Sequence, residues 1–242
     1  MSVMRRLTLW GLLFSVLIMG RLAQAAPSTW EPVRKSDERE GIQTWVRPVE
    51  GQSIKAFRGV TEMPHSALAV LALIADIPHL HKWVYQCRSA RQLKDRPPEQ
   101  TYTRFRGIWP ASDRDVLLTT QVYQQDDGSI VVDSRQVDGY PLSEDFVRMP
   151  SLHNTFRLTP LKARWTRIEF ETQVDVGGMI PSWLANLVAT DAPLHTLQGM
   201  RKRLDDHDKY QIQSVDELPT YYLQGKPLVF STEHLGARPE PR

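Results

Sequence analysis

The sequence predicts an α+β fold in which a curved antiparallel sheet wraps around one long C-terminal helix. Three observations predict it. Between residues 87 and 176, apolar and polar side chains alternate in run after run, the two-residue period of half-buried strands. The connections between these runs are short and carry turn chemistry, which suits antiparallel neighbours and leaves no room for crossovers. Past Gly177-Gly178 the apolar spacing lengthens to three and four residues and holds to Leu204, so one helix closes the pattern.

The chain begins with a segment that has the form of an address. Arg5-Arg6 supplies positive charge, residues 7–19 form an apolar run containing Leu12, Leu13, Phe14, Val16, Leu17 and Ile18, and Ala23-Gln24-Ala25 meets the small-x-small cleavage rule. The run is shorter than the roughly 20 residues of a spanning helix. Residues 1–25 are therefore read as a cleaved signal peptide and the mature protein as periplasmic. Cleavage removes Arg5, Arg6 and Arg21 and no acid, so the formal charge falls from +2 to −1. A near-neutral domain has little electrostatic claim on nucleic acid. The 242 residues hold one cysteine, Cys87, which excludes an internal disulfide and a multi-cysteine zinc site.

Residues 31–40 alternate charge sign and read as a solvated lead-in. Stretches 41–46 and 54–60 alternate apolar and polar residues around the 48–53 connection and read as a strand pair. Pro64-His65-Ser66 then opens a helix, with Leu68, Leu71, Ala72 and Ala75 at helical spacing. Asp76-Ile77-Pro78 breaks it and starts a second short helix through Trp83. Strands are expected at 87–94, 101–108, 115–124, 129–137, 155–161 and 165–176. Asp127-Gly128 is the hairpin signal between two of them. Gly177-Gly178 ends the last strand and Pro181 presets the first helical turn. In the helix, Trp183, Leu187, Thr190, Leu194, Leu197 and Leu204 define the expected buried face. Pro193 is expected to kink it, or Asp191 to cap a restart. The domain spans 26–208, and 209–242 reads as a polar, Pro-containing tail, loosely packed except where Leu228-Val229-Phe230 anchors it.

Two motifs add a family resemblance. Trp109-Pro110-Ala111-Ser112-Asp113-Arg114-Asp115 resembles the aromatic-Pro-x-Ser-x-Arg-Asp approach to a central strand in the START (steroidogenic-acute-regulatory-related lipid transfer) family. Asp175-Val176-Gly177-Gly178-Met179-Ile180-Pro181-Ser182-Trp183-Leu184-Ala185-Asn186 is similar to that family's junction into the C-terminal helix. The resemblance runs from about residue 31 to 207. It implies a helix-grip fold with an internal cavity for one lipid or other hydrophobic molecule, and a bacterial exported member of the family.

Alternation supplies the lining expected of such a cavity: Val116, Leu118, Thr120 and Val122 on one strand, and Phe170, Thr172 and Val174, with Ile168 nearby, on another. Leu187, Thr190, Leu194 and Leu197 come from the helix, with Trp109 from the first motif. Burial of apolar ligand surface stabilises a complex by about 25 cal/mol per Å². The long connection from Asp138 to Pro150 reads as a gate, with Tyr140, Leu142, Phe146 and Met149 as the residues that meet a bilayer during exchange. Arg114 and Asp115 point to opposite faces of their strand, with structural roles. Arg167 and Glu169 are assigned to the wet face; alternation leaves the face of Arg104 and Arg106 open.

Catalytic patterns are weak. His79 and His81 stand two residues apart and face different ways on a helix. His195 and Asp191 have the spacing of a helix-surface pair. Cys87 reads as a small core thiol. No nucleophile elbow, phosphate loop or His-Glu-x-x-His is present. The expectation is a monomeric binding protein that needs no cofactor and no metal, takes a lipid or hydrophobic small molecule, touches a membrane transiently and does not bind nucleic acid. The alternatives are a cyclase- or hydrolase-like enzyme using the same cavity, with Arg104, Arg106, Glu169 or His195 turned inward, and a sensing module that docks a partner through its tail.

Overall fold

The computed structural model describes residues 29–219 and 227–231. The segment read as a signal peptide lies outside the described residues. Ten strands form one sheet: β1 (Glu31–Arg34), β2 (Gln43–Arg47), β3 (Ala56–Met63), β4 (Cys87–Gln92), β5 (Gln100–Phe105), β6 (Arg114–Gln124), β7 (Ile130–Gln136), β8 (Val147–Arg148), β9 (Ser151–Pro160) and β10 (Thr166–Asp175). Helix α1 (Ala67–Ala75) follows β3, a 3-10 turn (Ile77–Lys82) follows α1, and α2 (Ser182–Asp206) follows β10. The spatial order is β1-β2-β3-β10-β9-β7-β6-β5-β4, with β8 off this path beside β6. The helix-grip arrangement is thus present: a curved sheet holding one long C-terminal helix.

The alternation sets which face is inside. On β10, Ile168, Phe170, Thr172 and Val174 are buried, while Arg167, Glu169 and Glu171 face out. Directly paired Phe156 on β9 continues the inner layer, its ring stacked 4.5 Å from that of Phe170. On β4 a register shift between Cys87 and Ser89 resets the alternation, so that Cys87 and Ala90 both pack inward. Ser66 caps α1 by accepting a hydrogen bond from Ala69 N at 3.1 Å, and all of α1 except Ala72 is buried.

The C-terminal half of α2 is clamped between β3 and the 3-10 turn. Glycines let the backbones approach: a Cβ at Gly59 would stand 2.7 Å from Leu197 Cδ1, and one at Gly199 2.6 Å from Trp83 O. Leu197, Met200 and Leu204 are completely buried there. At the other end, Gly177 and Gly178 both take left-handed backbone (φ +66° and +68°), and Pro181 is the N-cap of α2.

Several expectations need correcting. The charged lead-in contains β1, an edge strand exposed along its whole length, which therefore shows no alternation. The 138–150 connection contains β8, which pairs in parallel with β6, so the sheet is not wholly antiparallel. Strand β9 begins at Ser151 rather than 155. Helix α2 runs unbroken through Pro193, whose ring packs toward Gly59. Its buried face is Leu184, Ala185, Ala189, Ala192, Pro193, Thr196, Leu197, Met200 and Leu204. That face shares only Leu197 and Leu204 with the expected stripe, and Trp183 is exposed. The stretch after Asp208 adds Tyr210, Leu218 and Leu228 to the core. Backbone hydrogen bonds between Val229 and the Gln124 side chain, 2.8 and 2.9 Å, hold it in place.

Candidate ligand-binding cavity

The N-terminal half of α2 stands away from the sheet, and the space beneath it is hollow. An outer chamber of about 140 Å³ is walled by Phe57 of β3, Phe105 of β5, Leu152 and Asn154 of β9, Phe170, Thr172 and Val174 of β10, and Leu184, Val188, Ala192 and Thr196 of α2. An inner chamber of about 80 Å³ lies against Trp83, Cys87, Thr101, Thr103, Leu118, Thr120, Val132, Ser134 and Phe156. Val84, Phe105, Asn154, Phe170 and Thr196 belong to both walls, so the chambers adjoin. A single water needs about 10–15 Å³ on this measure, so the space exceeds that for a few waters. The side chains that make it possible are small ones on α2, Ala192 and Thr196, opposite large rings on the sheet.

Polar groups are few and mostly satisfied. Thr172 Oγ1 donates to Asn154 Oδ1 at 2.7 Å, and Thr196 Oγ1 accepts from Tyr85 N at 3.2 Å. Burial pushes the Cys87 thiol up to about 12, an inert thiol in an apolar wall. Among the described residues no Asp, Glu or His lines either chamber.

The outer chamber ends at two chain reversals. One is the loop carrying Gly107, Ile108 and Ala111; the other is the β10–α2 junction carrying Val176 and Ile180. Between those lining residues, Trp109 is 86% exposed and Met179 fully exposed, with Trp183 about half exposed. Large apolar side chains left this bare on segments that rim a cavity mark a contact surface.

The expected lining residues divide into groups. Leu118 and Thr120 line the inner chamber, Thr172 and Val174 the outer, and Phe170 both. Val116, Val122 and Ile168 share the inward face but are packed in the core. Leu187, Thr190, Leu194 and Leu197 line neither chamber, and Trp109 points to solvent. Sequence reasoning missed the stripe Leu184, Val188, Ala192 and Thr196, which recurs every four residues but contains only one leucine. It also missed Phe57, Phe105 and Asn154; it had left the face of Arg106 open and given Arg114 a structural role, and both arginines line the outer chamber.

Of the four gate residues, Met149 lines the outer chamber and Leu142 is exposed. Tyr140 and Phe146 lie on the far side of the sheet. Tyr140 packs 4.4 Å from Tyr102, and Arg104 lies over both Tyr102 and Phe146. This outer cluster is centred on Asp115. Burial alone would raise its carboxyl, but hydrogen bonds from Arg148 and Tyr102 outweigh that and hold it below the ordinary carboxylate range.

The residues weighed for catalysis are dispersed. Glu169 binds Arg58 and Arg167 on the outer face. His195 is exposed and stacks on Tyr85, 5.7 Å between rings. His79 Nδ1 pairs with Asp76 at 2.7 Å and His81 Nδ1 with the Pro78 carbonyl at 2.9 Å. Among the described residues no group of three His, Cys, Asp or Glu side chains is arranged to hold a metal.

Comparison with known proteins gives a consistent picture. The family model described as START domain matches residues 19–210. An uncharacterized protein of Pseudomonas aeruginosa, PA1579, is 30% identical over 186 residues, covering 76% of this chain and 91% of that protein. The crystal structure of a STAR-related lipid transfer protein fragment from Xanthomonas axonopodis superposes with a TM-score of 0.64 at 28% identity, over 73% of this chain and 98% of that one. Human STARD10 superposes with a TM-score of 0.65 at 18% identity, over 79% of each chain, a likeness of fold.

Proposed function

The chain belongs to the START domain family, and on that premise we propose that it binds one lipid or other hydrophobic small molecule in the two adjoining chambers and carries or senses it in the periplasm. The observation that carries this reading is the hollow itself: a largely apolar space between sheet and helix, larger than a few waters. The similarity to the Xanthomonas lipid transfer protein supports it.

Ligand exchange takes place at a membrane. Trp109, Met179 and Trp183 present apolar surface on the rim, and the loop and junction that carry them shift apart to admit the ligand. Met149 beneath them is the gate residue that meets the ligand first. The hydrocarbon part then partitions inward, driven by loss of its contact with water. The reading is of a carrier, which the largely apolar lining of both chambers supports. The basic n-region, apolar run and Ala23-Gln24-Ala25 support export with cleavage after Ala25.

Native mass spectrometry of the purified protein, with extraction of whatever co-purifies, tests the reading. A mass increment that extracts as an amphipathic molecule supports it. A chain that stays ligand-free after incubation with mixed lipid vesicles, and that transfers none between them, overturns it.

A further inference from the structure

Arg114 opens β6 and, two residues ahead of Val116, turns to the inner face. It is only 7% exposed and lines the outer chamber. One end of its guanidinium donates to the Ser112 carbonyl. Its Nε is buried and meets no hydrogen-bond partner. A buried cation normally has a counter-charge, and here the nearby carboxylates are engaged elsewhere. Asp113 accepts from Arg88 at 2.5 Å and from Gly107 N at 2.9 Å. Asp115 faces the other side of the sheet, bound to Arg148. Arg106, exposed at the rim, adds a second positive charge to the same wall. Deeper in, Asn154 has its carbonyl oxygen taken by Thr172, which leaves its amide as a donor.

We infer that the ligand of this cavity is an amphipathic anion, whose carboxylate or phosphate sits against Arg114 and Arg106 at the loop end of the outer chamber while its hydrocarbon tail runs inward past Phe170. This rests on the reading of the cavity as a lipid site and adds the charge of the head group. An anion completes what the protein leaves incomplete: it supplies the counter-charge that the wall lacks for both guanidiniums. Burial lowers the Arg114 pKa from its ordinary value, as expected of a cation short of solvent and only partly compensated by Asp113.

The test is a fluorescence titration of the purified protein with cis-parinaric acid and with its methyl ester. Lysophosphatidic acid and a monoacylglycerol of equal chain length serve as competitors. The expected result is that the free acid binds about tenfold tighter than the ester, and the lysophosphatidic acid tighter than the monoacylglycerol, as one charge-assisted contact confers. The larger of the two preferences tells carboxylate from phosphate. In Arg114→Gln the preference for the anion is lost while ester affinity stays within about twofold. Arg106→Gln, a change at an exposed residue, lowers the preference partway and carries the test if Arg114→Gln does not fold. Equal binding of acid and ester by the unaltered protein, or a preference undiminished in the folded variants, overturns the inference and leaves the lipid reading standing. Failure to bind acid, ester or either competitor overturns the lipid reading and this inference together.

Discussion

Arg148 grips Asp115 at two points, Nε to Oδ1 at 2.8 Å and Nη2 to Oδ2 at 3.0 Å. The Asp115 carboxylate is 1% exposed and Tyr102 adds a third hydrogen bond at 2.7 Å. The same Arg148 also donates to the carbonyls of Tyr140 and Pro141 at 3.0 and 2.9 Å. One carboxylate at the start of β6 therefore holds the 138–150 connection on the outer face of the sheet. Asp115→Asn leaves Arg148 without its counter-charge and should destabilise the fold by about 3 kcal/mol, the lower end for breaking a buried pair. Urea denaturation of the single and double variants with Arg148→Met measures this. Equal losses in single and double variants would place the whole cost in the pair.

Acid should loosen the C-terminal segment. Asp76 accepts from Lys209 Nζ at 2.7 Å and Tyr210 Oη at 2.8 Å, and pairs with His79. Burial would raise its carboxyl, but these hydrogen bonds, Lys209 foremost, outweigh it and bring it down to about 2. The folded value lies below the unfolded value of about 3.9. The stabilisation is thus complete above the unfolded value and disappears as pH falls from about 4 toward 2. Protection of the amides of residues 208–210 against hydrogen exchange, relative to an unstructured peptide at the same pH, should fall over that range, and Asp76→Asn should remove the acid step.

Filling the outer chamber should block uptake without harming the fold. Ala192 faces the hollow, so Ala192→Phe puts a ring into empty space rather than into packed neighbours. Ligand affinity should fall about tenfold or more, with the melting temperature unchanged or higher. Leu187→Ala, one turn away and off the lining, should leave uptake unaltered. Affinity lost in Leu187→Ala and kept in Ala192→Phe would reverse the assignment of faces.

Gly199→Ala pits helix propensity against contact. Alanine favours a helix interior by about 1 kcal/mol over glycine. Its Cβ would however lie 2.6 Å from Trp83 O and 2.9 Å from Trp83 Cα, and a backbone cannot swing aside as a side chain can. A net loss of about 1–2 kcal/mol is expected, since overpacking costs about 1–3 kcal/mol. Thermal melting decides the sign.

The strands that bury one face were legible where, as in β9 and β10, they write their alternation plainly: on β10, Phe170, Thr172 and Val174 inside, Glu169 and Glu171 less buried on the other face. Strand β1 was illegible for the converse reason. All four of its residues are exposed, so no period forms. Two-residue β8 is held by backbone pairing and by Arg148, neither of which leaves a pattern in composition. On α2 the leucines misled. Leu187 and Leu194 look like core by hydropathy, yet the face turned to the hollow holds one leucine, Leu184, and is otherwise built from valine, alanine and threonine, whose smallness is the reason a hollow exists. Periodicity finds what is filled, and it has no signal for what is left empty. The same blindness hid the place of Arg114, which its motif marked as a strand-opening residue and which the fold sets on the chamber wall.

Among the described residues the sheet is a strip rather than a closed barrel, and a strip has two borders. One is β1, with Glu31, Pro32 and Arg34; the other is β4, with Arg88, Arg91 and Gln92 turned to solvent. Proline withholds an amide that a foreign strand would need, and each charged side chain raises the cost of docking one. The segment that looked like mere solvated lead-in thereby serves as a selvage. It makes the exposed edge of β1 a poor template for a foreign strand.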